Sequence, residues 1–347
     1  MRNAGTQTLE TSRLILRRFA MDDARAMYEN WAGDADVTQY LMWPAHQSAA
    51  VSETVLRGWM PQYEAPDYYN WAITLRGQSG PIGSIAVVRI DGDVDSLQIG
   101  YCIGRKHWGK GVMTEAFSAV IDFLFETVGA NRIEARHDPR NAASGRVMQK
   151  CGLTLEGTLR RADWNNQGVC DAAYYGILKD EWELRKEIET FTHYPYTFDG
   201  FADFPTLTDG VLSLVCVRQI PADPVRKYVP AYCFEVQKDG ARVGEITLRI
   251  GYPEGLYYGG NIGYAIDEPY RGNGYAVRAC RLLLPVAKAH GMQFLHITND
   301  RDNYASRRVC EKLGAVLLRV AKLPEDTELY REGRRYENIF VWDIGRM

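Results

Sequence analysis

The chain has 347 residues, 46% hydrophobic and 24% charged, with a formal net charge of −3. At roughly 100–200 residues per domain, that length predicts two domains, and the near-neutral charge excludes the basic footprint of a nucleic-acid binder. No run reaches the roughly 18 apolar residues of a membrane-spanning helix, and no metal site is expected, because the seven cysteines form no CxxC and the six histidines no HExxH.

Arg13-Leu14-Ile15-Leu16-Arg17 reads as a strand. Asp22 or Asp23 caps a helix through about Asn30, and a second helix is expected over 49–60. Strands follow over 71–75 and 82–90, around a Gly-rich turn at 76–80, and over 97–103. A glycine loop at 105–111 leads into a helix over 114–127. Its Ala116, Val120, Ile121, Phe123 and Leu124 keep helical spacing. A strand over 132–137 precedes a helix over 142–151 that Gly152 stops. Strands over 153–159 and 170–178 join across Asn165-Asn166-Gln167-Gly168, a hairpin turn.

The pattern then repeats. Ile99-Gly100-Tyr101 recurs 163 residues later as Ile262-Gly263-Tyr264, and Trp108-Gly109-Lys110-Gly111 recurs as Arg271-Gly272-Asn273-Gly274. Asn141-Ala142-Ala143-Ser144 returns 162 residues later as Asn303-Tyr304-Ala305-Ser306, and Lys150-Cys151-Gly152 as Lys312-Leu313-Gly314. One near-constant offset means two copies of one domain, since it is too long for a solenoid. The domains are expected at 1–188 and 208–347, with a linker at 189–207. The early part of the second copy is about 37 residues shorter. The expected fold is α+β, each domain a mostly antiparallel central sheet flanked by helices.

Glycines let a backbone approach an anion closely, and free N–H groups at a helix start bind one. Neither loop matches a dinucleotide GxGxxG or a phosphate-binding GxxxxGK[ST]. The first copy resembles the RimJ/RimL type of GNAT N-acetyltransferase, through Thr11 to Arg17, the Trp108 to Gly111 loop, Asn141 to Gly152 and Glu156-Gly157-Thr158-Leu159. The second resembles another GNAT branch through Gly260 to Tyr264, Arg271 to Ala276 and Asn303 to Gly314.

This resemblance implies acetyl-CoA as cosubstrate, lying in a V-shaped gap between the third strand and the strand after the loop helix. It implies coenzyme contacts from Ile99, Tyr101, Cys102, Ile103, Lys106, His107, Trp108, Gly109, Lys110, Gly111 and Val112. In the second copy the matching positions are Tyr264, Ile266, Arg271, Gly272, Asn273, Gly274, Tyr275 and Ala276. Where the family loop begins with Gln or Arg, this chain has Lys106 and Pro269; Pro269 has no N–H. Many relatives supply a tyrosine acid four residues before the glycine matching Gly152. Here that position is Met148, or Cys310, so Ser144 and Ser306 are expected to replace it, with Asn141 and Asn303 either on the pantetheine arm or simply helix caps.

Direct attack of a neutral amine on the thioester is the expected mechanism. No base stands out: Gln98 and Asn261 cannot serve, Asp138 and Asp300 read as turn residues, and Glu134 is open between base and surface residue. Cys102 lacks a histidine partner and is Ala265 in the second copy, which disfavours covalent catalysis. Trp43, Tyr68, Tyr69, Asn70 and Trp164 are the candidates for the acceptor wall. The acceptor is a protein N-terminal amine or a small-molecule amine, and activity is expected mainly in the first domain. An alternative is that one or both domains bind acyl-CoA without turnover. Scattered, reduced cysteines and a start lacking an apolar stretch fit the cytoplasm.

Overall fold

The computed structural model describes residues 1–345. The chain divides into two compact units, Met1–Leu184 and Arg185–Met347, and the division falls inside the helix Lys179–Thr192. Among the described residues no helix is long and apolar enough to cross a membrane.

The first unit is built on one eight-stranded sheet. Its strands are β1 (Leu9–Glu10), β2 (Leu14–Arg17), β3 (Asn70–Leu75), β4 (Gly83–Asp91), β5 (Ser96–Ile103), β6 (Arg132–His137), β7 (Thr154–Asn165) and β8 (Gly168–Leu178). Every pairing is antiparallel except β5 with β6. That parallel pair holds only from Ser96–Arg132 to Ile99–Ala135, and then the strands part. β5 stays paired with β4 out to Ile103. A gap therefore opens in mid-sheet, edged by residues 100–103.

The helix Val112–Phe123 crosses between β5 and β6 and buries Ala116, Phe117, Val120 and Ile121 against the sheet. It runs on as a wider turn over Leu124–Val128, closed by Gly129 in the left-handed region (φ 77°). The helix expected over 22–30 is broken into three short pieces, Met21–Asp23, Ala24–Met27 and Tyr28–Ala32. With the helix Ala49–Trp59 they form a second cluster around Trp31, Leu56 and Tyr63. β7 runs six residues past the expected end at Leu159, because a register shift between Leu159 and Asp163 absorbs an irregular stretch before pairing resumes.

The second unit has β9 (Leu207–Thr208), β10 (Ser213–Ile220), β11 (Ala231–Lys238), β12 (Ala241–Arg249), β13 (Ile262–Ile266), β14 (Phe294–Asp300), β15 (Val316–Lys322) and β16 (Tyr336–Asp343). They form a five-stranded and a three-stranded sheet. β13 and β14 correspond to β5 and β6, and here the parting is more complete. They are joined where Asn261 N donates to His296 O (2.7 Å) and His296 N to Asn261 Oδ1 (2.9 Å). The early helices are replaced by the short connection 221–230.

Aromatic residues cover the side of β14 that carries His296. Phe191 lies 4.3 Å, ring to ring, from His296. Tyr194 and Tyr257 pack on the same imidazole, and Tyr257 belongs to the helix Glu254–Gly259. His296 is 1% exposed, and among the described residues neither ring nitrogen has a hydrogen-bond partner. Burial disfavours the charged ring and pushes its pKa down to about 3. The unfolded chain takes the proton near pH 6.5 and the folded chain refuses it until about pH 3. Stability of the second unit is therefore expected to fall by about 1.4 kcal/mol per pH unit as pH drops through that window. Denaturant titrations at several pH values check this, and His296→Phe should flatten the slope.

Candidate functional site

The geometry of the glycine loop begins with its fixed ends. One 3-10 turn, Arg105–His107, follows β5. Gly109 (φ 70°) and Gly111 (φ 72°) then take the left-handed conformation that side-chain-bearing residues rarely adopt. Gly111 is the cap of the next helix and offers no side chain to its first N–H groups. Trp108 Nε1 donates to Ile103 O (2.9 Å), tying the loop to the end of β5. In the second unit Arg271 Nε makes the same tie to Ile266 O (3.0 Å), with Gly272 (φ 82°) and Gly274 (φ 74°) in the same conformation.

A second anchor comes from the start of the chain. Glu115, in the first turn of the loop helix, accepts from Thr11 Oγ1 (2.5 Å), Ser12 Oγ (3.1 Å), Arg13 N (3.0 Å) and Arg13 Nε (2.6 Å). Arg13 also reaches Lys110 O (3.1 Å). Burial alone would raise the Glu115 pKa, but hydrogen bonds from Thr11, Arg13 and Ser12 outweigh it and hold the carboxyl below its usual range.

A cavity of about 320 Å³ opens where β5 leaves β6. Of the sequence-predicted residues, Tyr101, Cys102, Ile103, His107, Trp108, Gly109, Gly111, Asn141 and Ser144 line it together. Ile99 and Val112 turn into the core instead. Lys106 and Lys110 are exposed and lie outside the lining. Arg146 and Lys150, one turn apart on the helix Ala142–Lys150, add positive charge to the wall and were not singled out from sequence.

Asn141 caps that helix, its Oδ1 accepting from Ser144 N (3.4 Å). Asn303 does the same for Ser306 N (3.0 Å). Ser144 Oγ lies 2.9 Å from Tyr101 OH, and Ser306 Oγ lies 2.9 Å from Tyr264 OH. Met148 and Cys310, at the family's tyrosine position, are buried in the cores. Tyr275 and Ala276 begin the helix Tyr275–Leu282, directly after the second loop containing Asn273.

Cys102 Sγ contacts Ser84 Oγ (3.3 Å), and burial raises its pKa, the opposite of what a thiolate nucleophile needs. Asp138 is bound by Arg140 and by Asn165 Nδ2 (2.9 Å), which hold its carboxyl well below the usual range, so it stays ionised and engaged. Asp300 accepts from Asp302 N (2.9 Å) in a turn.

The five residues expected at the acceptor wall lie away from the cavity. Tyr69 and Asn70 are buried, Tyr68 and Trp43 pack on the early-helix cluster, and Trp164 is 54% exposed; none of the five lines the cavity. Asp36, Val37, Gln39, Tyr40 and Leu41 line it instead. This segment is held by Arg105, which pairs with Asp34 (2.9 Å) and with Asp36. Asn166 Nδ2, in the hairpin turn, donates to Thr38 O and Trp43 O (both 2.8 Å). A pattern search misses it because a four-residue helix, Ala35–Thr38, carries no periodic signal.

Toward the other end of β5, Ser96, Gln98, Arg132 and Glu134 line a separate recess of about 190 Å³. Gln98 Nε2 donates to Glu134 Oε1 (3.4 Å). The corresponding residues of the second unit, Asn261 and His296, are buried beneath the aromatic cover.

The family model described as acetyltransferase (GNAT) domain matches residues 13–154 and 218–316. The chain is 28% identical over 176 residues to an uncharacterised N-acetyltransferase, p20, of Bacillus licheniformis, covering 51% of this chain and 98% of that protein. It is 31% identical over 134 residues to a putative ribosomal N-acetyltransferase, YdaF, of Bacillus subtilis, covering 39% of this chain and 72% of that one. A GNAT-family acetyltransferase structure from Bacillus anthracis is 26% identical, with a TM-score of 0.45 over 50% of this chain and 99% of its own. The chain therefore belongs to the GNAT acetyltransferase family, carries that family's domain twice, and is an N-acetyltransferase.

Proposed function

We propose that the first unit moves an acetyl group from acetyl-CoA to a primary amine by direct attack. The observation that carries this reading is the cavity at the parting of β5 from β6, where the glycine loop, the β5 edge and Ser144 meet. The N–H groups after Gly109 and Gly111 suit a pyrophosphate, and the free edge of 100–103 suits the amides of a pantetheine arm. The N–H of Cys102 or a neighbour would polarise the thioester carbonyl, and the Ser144 hydroxyl would donate to the departing sulfur. Glu134 does not line this cavity and is paired with Arg132 (3.3 Å), so no side chain is assigned as the base.

The acceptor class stays with amines: a protein N-terminus, as the ribosomal description of one relative points to, or a small molecule. Among the described residues the second unit has no counterpart of the segment 36–41 that lines the first unit's cavity, which favours the first unit as the seat of turnover. The second unit keeps the loop and the Tyr264–Ser306 pair, which makes coenzyme binding without amine acetylation the reading for it.

Calorimetric titration of the full chain with acetyl-CoA tests the coenzyme assignment. Two equivalents per chain are expected; one equivalent would confine binding to a single unit, and none would overturn the reading. Ser144→Ala should cut turnover about a hundredfold while sparing the acetyl-CoA dissociation constant, followed as thiol release with amine acceptors.

A further inference from the structure

We infer that Tyr101 is a positioning residue that turns the Ser144 hydroxyl hydrogen toward the departing sulfur. The inference rests on the transferase reading of the same cavity. Tyr101 OH lies 2.9 Å from Ser144 Oγ and 3.0 Å from Ser144 O. Both residues line the cavity, and the Tyr101 ring is held 5.3 Å from that of Phe117.

Each hydroxyl has one hydrogen. Ser144 O can only accept, so the phenol hydrogen lies toward it, and with Ser144 Oγ 2.9 Å away it can be shared between the two oxygens. If the phenol donates to Ser144 Oγ, the serine hydrogen is free to point into the cavity. Without a phenol, a helical serine commonly turns its hydroxyl back onto a carbonyl three or four residues earlier. Tyr101 thus competes with the helix backbone for the serine.

The role is orientation, not net proton supply. In the transfer the N–C bond forms and the C–S bond breaks, with its electron pair staying on sulfur. The ammonium formed at nitrogen releases the balancing proton. A thiol titrates near 8.5 and a free phenol near 10, and burial pushes the Tyr101 phenol further up. The phenol therefore keeps its proton while the thiolate forms. The Tyr264–Ser306 pair, at the same 2.9 Å, repeats the arrangement where the loop around it differs in sequence.

The test uses the full chain saturated with coenzyme A, following the ultraviolet thiolate absorbance of the bound thiol against pH. Only first-unit side chains differ between the proteins compared, so any change reports that site. Ser144→Ala should raise the thiol midpoint by about one pH unit, tenfold in thiolate stabilisation. Tyr101→Phe should raise it by a similar amount, and the double variant no further than Ser144→Ala alone. A Tyr101→Phe midpoint equal to wild type overturns the inference, as does an additive double variant. An unmoved Ser144→Ala midpoint also overturns it, by removing the serine from the sulfur. Calorimetry on the same proteins should give an unchanged coenzyme affinity for Tyr101→Phe; a loss would make Tyr101 a binding residue instead. Failure of wild type to bind acetyl-CoA at all would overturn the transferase reading itself, a result separate from any of these.

Discussion

The first unit depends on two neighbouring parallel strands that stop pairing halfway along. β5 and β6 share a ladder to Ile99 and Ala135 and then diverge. Buried backbone N–H and C=O groups need partners, so a strand edge exposed inside a sheet is costly unless it faces solvent or an amide-bearing ligand. The rest of the unit maintains that divergence. Phe117 and its neighbours fill the space under the loop helix, Trp108 fastens the loop to the last residue of β5, and Glu115 gathers Thr11, Ser12 and Arg13 onto the helix start. The short motif near the beginning of the chain thus acts as a clamp on a loop about a hundred residues away.

The two units share this end of the site and differ at the other. The glycine conformations, the tie to the strand end, the asparagine cap and the tyrosine–serine pair all recur. The surroundings of β6 and β14 do not. Where the first unit has the recess of Gln98 and Glu134, the second has Asn261 and His296 under Phe191, Tyr194 and Tyr257. An imidazole that makes no hydrogen bond and stays neutral far below its usual range behaves as another aromatic ring in that cover.

Much of this was legible in the sequence, for physical reasons. Glycines forced into positive φ leave a fixed spacing, and that spacing at two offsets revealed the duplication. Alternating and helical periodicities placed the strands and the loop helix. Three features were not legible. The wall of Asp36 to Leu41 sits on a single helical turn held by Arg105 and Asn166, partners about 70 and 125 residues away. The tyrosine–serine pairing links two motifs that each looked complete alone. The stretch from Phe191 to Tyr196 read as an irregular linker, because its aromatic residues gain order only from the sheet they cover.

The wall also explains why acceptor preference is hard to read. Arg105 stands at the start of the glycine loop and holds Asp34 and Asp36, the second of which lines the cavity. Exposed ion pairs contribute little to stability, typically under 1 kcal/mol. Here their main effect is geometric, since two carboxylates on one guanidinium fix the start of a short helix whose Val37 and Thr38 are buried. A shift in that helix would move Tyr40 and Leu41 relative to Ser144 without disturbing the glycine loop. The glycine loop and the clamped segment can then vary separately. The second unit fits that division: it kept the loop and lost the wall.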